Sequence, residues 1–215
     1  MLAVIACLAG IFAILVIEEI LYKQKVLSGE YLRKFVHISA GAFIALWPWL
    51  TSWPAIQLIG LAMIAIIWLN HRLKTFHASS GVHRKTYGFY LFGLSVAVIP
   101  FITHNKIFFA LAMMHMALAD GLAAVVGTGY GKRYEYKVFH QIKSVVGTMT
   151  FWFVSVCVLG VGLLFVHDLI AFNQYALLLI ILPPILATLE NLAVFGLDNI
   201  AVPVAVVVAL ELTQI

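Results

Sequence analysis

Residues 35–71 read FVHISAGAFIALWPWLTSWPAIQLIGLAMIAIIWLNH, a stretch without an aspartate, glutamate, lysine or arginine. A helix crosses the hydrocarbon core of a bilayer in about 20 residues, so this run is long enough for two spans. Trp47-Pro48-Trp49-Leu50-Thr51-Ser52-Trp53-Pro54 divides it with prolines and with tryptophans of the interfacial kind. The rest of the chain has the same character. Of its 215 residues, 64% are hydrophobic and 10% charged, and the mean hydropathy is +1.06. A soluble domain is normally about a quarter charged, so lipid is the expected solvent. In lipid every backbone polar group needs an internal partner, which leaves helices or a closed barrel. Barrel strands alternate apolar and polar residues, whereas these runs are continuous, so helices are expected.

Outward from this stretch, the remaining spans fall at 1–17, 87–102, 107–127, 145–166, 173–189 and 200–212. The expected fold is an all-α polytopic transmembrane bundle of about seven to eight helices, a single integral membrane domain over 1–215. The first span lacks a basic leader and a small-residue cleavage site, so it reads as a retained helix. Twelve of the thirteen basic residues lie in the first, third and fifth connections, and Lys106 is the exception. By the positive-inside rule those connections are cytoplasmic and both termini face outward. In a prokaryote the location is the inner membrane. Cys7 and Cys157 both lie in apolar runs and read as small buried hydrophobes. Trp47, Trp49 and Trp53 read as an aromatic belt, and Asp168, His104 and His167 as outward or interfacial. His71, His77 and His83 recur every six residues, which aligns no helical face and argues against a metal site there. The loop 70–86 is the longest candidate for mobile structure.

Chemistry gathers on the cytoplasmic side. Arg33, Lys34 and His37 open the second helix, where cations oppose the helix dipole and a phosphate-bearing ligand would relieve the conflict. Positive-inside anchoring explains the same residues equally well. Asp120 lies inside a span, where a carboxylate costs roughly 2.5–3.5 kcal/mol at the helix centre. It therefore needs Mg²⁺, lysine or arginine. Ala124, Gly127 and Gly131 follow as a small-residue strip, which suits either a ligand or a helix-packing seam. Lys132 and Arg133 come next, then Lys143-Ser144 opening the sixth helix. Lys143 suits a phosphate, and Ser144 suits a helix cap or a phosphate contact. Glu190 ends the seventh helix, and Asp198-Asn199 precedes the eighth. Asp120, Glu190 and Asp198 thus offer oxygen ligands at one depth beside many cations, a set adequate for Mg²⁺ shared with substrate phosphates. Walker-type, protein-kinase and His-Glu-x-x-His motifs are absent.

Arg33-Lys34-x-x-His37, Ala119-Asp120-x-x-Ala123-x-x-x-Gly127-x-x-x-Gly131-Lys132, Lys143-Ser144-x-x-Gly147 and Asp198-Asn199-x-x-x-Pro203 occur in that order. Together they resemble the polyprenol kinase family, which includes dolichol kinase, phytol kinase and the CTP-dependent diacylglycerol kinase of fungi. The resemblance implies transfer of the γ-phosphoryl group of CTP, or another nucleoside triphosphate, to a membrane lipid alcohol, with Mg²⁺ as cofactor. It implies catalytic roles for Asp120, Lys143 and Asp198, with Asp120 holding Mg²⁺ or acting as base; the metal set read from the residues is Asp120, Glu190 and Asp198. It also implies nucleotide or phosphate contacts at Arg33, Lys34, His37, Gly127, Gly131, Lys132, Ser144, Gly147 and Asn199. The phosphatidate cytidylyltransferases share part of the pattern. Here Gln141-Ile142-Lys143-Ser144-Val145-Val146-Gly147 lacks their proline and glutamate, and their C-terminal His-Gly-Gly motif is missing. A transporter would place charges near the bilayer midplane and carry inverted repeats. The bilayer, a nucleotide and a lipid alcohol are the expected partners, nucleic acid is not, and self-association is left open.

Overall fold

The computed structural model describes residues 2–73, 87–139, 141–166 and 168–213. His77, His83, His140 and His167 lie outside the described residues, as does most of the loop 70–86. The helices are α1 Leu2–Lys23, α2 Gly29–Ala45, α3 Trp53–Leu73, α4 Gly88–Ile102 and α5 Lys106–Tyr130. They continue with α6 Val145–Leu163, α7 Phe172–Leu192 and α8 Asp198–Glu211. A short helical turn, Trp47–Leu50, carries the chain from α2 to α3. The fold is α-helical and membrane-like. Leu2–Lys23, Lys106–Tyr130, Val145–Val166 and Phe172–Leu192 are each long and apolar enough to cross a membrane.

One element departs from the all-α expectation. Strands β1 Glu135–Val138 and β2 Gln141–Ser144 pair antiparallel, with Tyr136 opposite Lys143 and Glu135 opposite Ser144. The segment alternates polar and apolar side chains and holds Tyr136 and Val138, which favour a pleated ribbon over a helix.

Helix α5 is the centre of the bundle. It packs against α2, α6 and α8, and most of its apolar stretch is buried, whereas α1, α6 and α7 leave most of theirs exposed. The outer helices leave apolar faces exposed, as a lipid solvent requires. Phe108, Phe109 and Met113 of α5 are fully buried and join Ile44, Phe151 and Val206 in one core. Two expectations change here. Trp47 is fully buried and belongs to the core, while Trp49 is half exposed and suits the interface. Cys157 is exposed on the outer face of α6, whereas Cys7 is buried as expected.

Small residues let the backbones approach. A Cβ on Gly60 of α3 would stand 2.7 Å from the Ala97 backbone nitrogen of α4. That close crossing explains how two helices with few polar groups associate without a hydrophobic driving force.

Candidate active site

The middle of α5 is not a regular α-helix. Residues His115–Ala119 form a π-helical turn, and the Asp120 N–H reaches back five residues to the His115 carbonyl. A π turn inserts one residue and re-aims every side chain that follows it. It also removes the usual partner of the Met116 carbonyl, which lies 2.7 Å from His37 Nε2. A carbonyl only accepts, so Nε2 of His37 carries the hydrogen. The same nitrogen lies 3.1 Å from Asp120 Oδ2.

Lys34, one turn before His37, donates to Asp120 Oδ2 at 2.6 Å. Lys34, His37 and Asp120 are all buried. The charge expected to need a cation therefore has one, supplied by α2. Helix α2 begins at Gly29, earlier than expected, which puts these residues in its second and third turns. Arg33 is held by Glu30, its Nε donating to Oε2 at 3.0 Å.

A second buried carboxylate enters from α7. Glu190 sits in the last turn, where the dipole disfavours negative charge. Lys143 of β2 compensates by pairing with the Glu190 carboxylate and donating to the Glu190 carbonyl at 3.1 Å. The chain then turns sharply. Phe195 and Gly196 take left-handed φ values of 58° and 91°, a conformation that glycine accepts easily and phenylalanine only under local constraint. The turn delivers Asp198, the first residue of α8, to the same spot. Asp120, Glu190 and Asp198 each offer an oxygen within 4.8 Å of the others.

Two of these carboxylates have lysine partners, and among the described residues Asp198 shows no ion pair. Its Oδ1 is buried without a hydrogen-bond partner. Three carboxylates this close repel one another, and two ammonium groups leave one negative charge uncompensated. An orphaned buried oxygen within an all-oxygen set fits a hard divalent cation such as Mg²⁺.

These groups line one cavity of about 410 Å³. Of the residues singled out in the sequence, Arg33, Lys34, Asp120, Gly127, Lys132, Lys143, Ser144, Gly147, Glu190, Asp198 and Asn199 face it. His37 acts from behind Asp120, and Gly131 is not part of the lining. Glu30, Thr128, Glu135, Gln141 and Thr148 also line it and were missed. The Glu30–Arg33 spacing was a usable signal for the first, since residues three apart meet on a helix. Asn199 Nδ2 donates to the Gly88 carbonyl at 2.9 Å and ties the start of α8 to α4.

The glycines have a packing reason. Ser144 caps α6, accepting from the Gly147 N–H at 3.1 Å. A Cβ on Gly131 would stand 2.3 Å from Ser144 Oγ, and one on Gly127 would stand 3.2 Å from Gly147 Cα. Gly131→Ala is therefore expected to lower stability by about 1–3 kcal/mol through overpacking of the α5–α6 seam. Thermal unfolding in detergent would read this. An unchanged midpoint together with weakened nucleotide binding would show instead that Gly131 serves the ligand.

The chain is similar to the phytol kinase of Synechocystis sp., with 32% identity over 199 residues, 89% of this chain and 82% of the relative. The chain belongs to the polyprenol and phytol kinase family. No protein-family profile matches it, and no solved structure does. Membership makes this polyprenol kinase relative a phosphotransferase with an alcohol as acceptor. Its lysine and arginine side chains stand beside carboxylates in one cavity, an arrangement suited to positioning and neutralising phosphates.

Proposed function

We propose that the protein transfers the γ-phosphoryl group of CTP, or another nucleoside triphosphate, to the hydroxyl of an isoprenoid alcohol of the phytol and polyprenol class, using Mg²⁺. The observation that carries this reading is the carboxylate triad Asp120, Glu190 and Asp198 facing Lys34 and Lys143 in one cavity. Asp120, Glu190 and Asp198 would hold the metal, which when bound neutralises phosphate charge and polarises the transferred group.

The chain's own residues supply the rest. Arg33, Lys132 and Lys143 gather the nucleotide phosphates. Lys34 and His37 hold the Asp120 carboxylate in one orientation, so no reorganisation is needed when charge shifts. A carboxylate of the cluster, Asp120 first, takes the proton of the acceptor hydroxyl. The hydroxyl oxygen bonds to the γ-phosphorus as the bond between that phosphorus and the bridging β-phosphate oxygen breaks. The products are a lipid monophosphate and a nucleoside diphosphate.

The placement of basic residues supports eight spans with both termini outside and the cavity at the cytoplasmic face. There a soluble nucleotide meets an alcohol whose tail stays in the bilayer. The test is incubation of the purified protein with Mg²⁺, CTP, phytol, polyprenol, diacylglycerol and phosphatidate, with products read by mass spectrometry. A lipid monophosphate with CDP is the expected result and names the acceptor. A CDP-lipid with pyrophosphate overturns the reading in favour of cytidylyl transfer.

A further inference from the structure

The hairpin grips α7 at two adjacent points. Tyr136 and Lys143 are cross-strand partners, so they project from the same face of the ribbon. Their targets, Glu190 and Asn191, are neighbours in sequence. Lys143 takes the Glu190 carboxylate. The Tyr136 hydroxyl donates to Asn191 Oδ1 at 2.6 Å and also meets the Thr148 hydroxyl of α6.

The Asn191 amide has a defined orientation. Its Nδ2 donates to the Ala187 carbonyl at 2.8 Å, and a carbonyl cannot donate, so Oδ1 is left to face Tyr136. Tyr136 therefore joins β1, α6 and α7 through neutral hydrogen bonds. The two grips differ in kind. If Lys143 binds a substrate phosphate, its ion pair with Glu190 must open. The Tyr136 contacts carry no charge that a phosphate or a metal would take.

We infer that Tyr136 is a positioning residue: through Asn191 and Thr148 it keeps the hairpin seated, so Lys143 stays at the cavity when it leaves Glu190. This rests on the reading of Lys143 as a phosphate ligand. The hairpin is short, and an isolated two-stranded ribbon is marginal in water. Without the neutral grip, Lys143 would bring its charge to the phosphate only by ordering the ribbon at the same moment, and affinity would fall by that ordering cost.

The test is a double-mutant cycle on the full-length protein in detergent, with the Kd for CTP in the presence of Mg²⁺ read by equilibrium dialysis. Tyr136→Phe is expected to raise the Kd about fivefold to tenfold, the scale of one lost hydrogen bond. In a Lys143→Gln background the same change is expected to cost less than about twofold, because residues acting through one another are not additive. Equal losses in both backgrounds, or no loss in the first, overturn the inference. Should Tyr136→Phe fail to fold, Thr148→Val removes the other leg of the grip and carries the same cycle. Wild-type protein that does not bind CTP, or a Lys143→Gln variant that binds it normally, would instead count against the underlying phosphate reading.

Discussion

Lys34→Met is expected to destabilise the protein by about 3–5 kcal/mol, because it leaves the buried Asp120 carboxylate without its cation. The pair spans 86 residues of sequence and 2.6 Å of space, and Lys34 is only 3% exposed. Methionine keeps the length and apolar stem of lysine, so the loss is of charge rather than of volume. His37 would remain beside Asp120, its Nε2 3.1 Å from Oδ2, and would offset part of the cost. The double variant Lys34→Met with Asp120→Asn is expected to regain most of the stability, since a neutral pair of similar shape replaces a buried ion pair at little cost. It is not expected to regain activity. Thermal unfolding of the two variants and the wild type in detergent, with lipid-phosphate production measured in parallel, reads both effects. A Lys34→Met protein as stable as the wild type would show that the ion pair does not hold α2 to α5.

Asp120→Asn is expected to lower the kcat of the folded protein by about 100-fold to 1,000-fold, the usual scale for removing one preorganised charge from an active site. It is expected to lower stability as well, because the buried Lys34 loses its carboxylate. Asparagine is isosteric and keeps an oxygen for Lys34 and His37 to donate to. What it loses is the charge needed to hold a divalent cation with Glu190 and Asp198, and the basicity needed to accept a proton. The two roles separate in a Mg²⁺ titration. A variant whose activity returns at high Mg²⁺ has lost metal affinity, and one that stays slow at saturation has lost the base. Full turnover with unchanged metal dependence would eliminate both roles for Asp120.

The cluster carries one uncompensated negative charge at rest, and this shapes how it is expected to respond to substrate. Lys34 and Lys143 neutralise two of three clustered carboxylates, and the third, Asp198, has a buried oxygen without a partner among the described residues. A nucleotide with its metal brings both signs of charge together. In the proposed reaction the metal would satisfy the carboxylates while the phosphates would take the lysines, so neither charge set would be stranded in a low-dielectric cavity. In phosphoryl transfer, positioning and neutralisation do most of the work. The proposed reaction suits a site whose polar residues come from α2, α5, α7 and α8 and from one hairpin.

Much was legible in the sequence for reasons of solvent alone. Uninterrupted apolar runs admit no fold but membrane helices, because lipid leaves backbone groups nowhere else to bond. A carboxylate inside a span, at Asp120, announces a cation, since burying it alone is too costly. The order of the short motifs marked the family. Each of these follows from a local cost that a residue carries wherever the chain folds.

Other features depended on distance between segments, which a single sequence does not encode. That Lys34 rather than Lys132 is the partner of Asp120 follows from α2 packing on α5. The re-aiming of Asp120 by the π turn at His115–Ala119 has no simple pattern in its apolar residues, because several helical pitches satisfy the same apolar face. Trp47 looked interfacial by type, and the turn after α2 buried it. Tyr136 was invisible for the same reason: its meaning lies in Asn191 and Thr148, brought to it by α7 and α6. Local chemistry thus determined the apolar helices and the residue types of the candidate site. Tertiary packing decided which charges meet, because pairing energy depends on separations of a few ångströms between helices far apart in the chain.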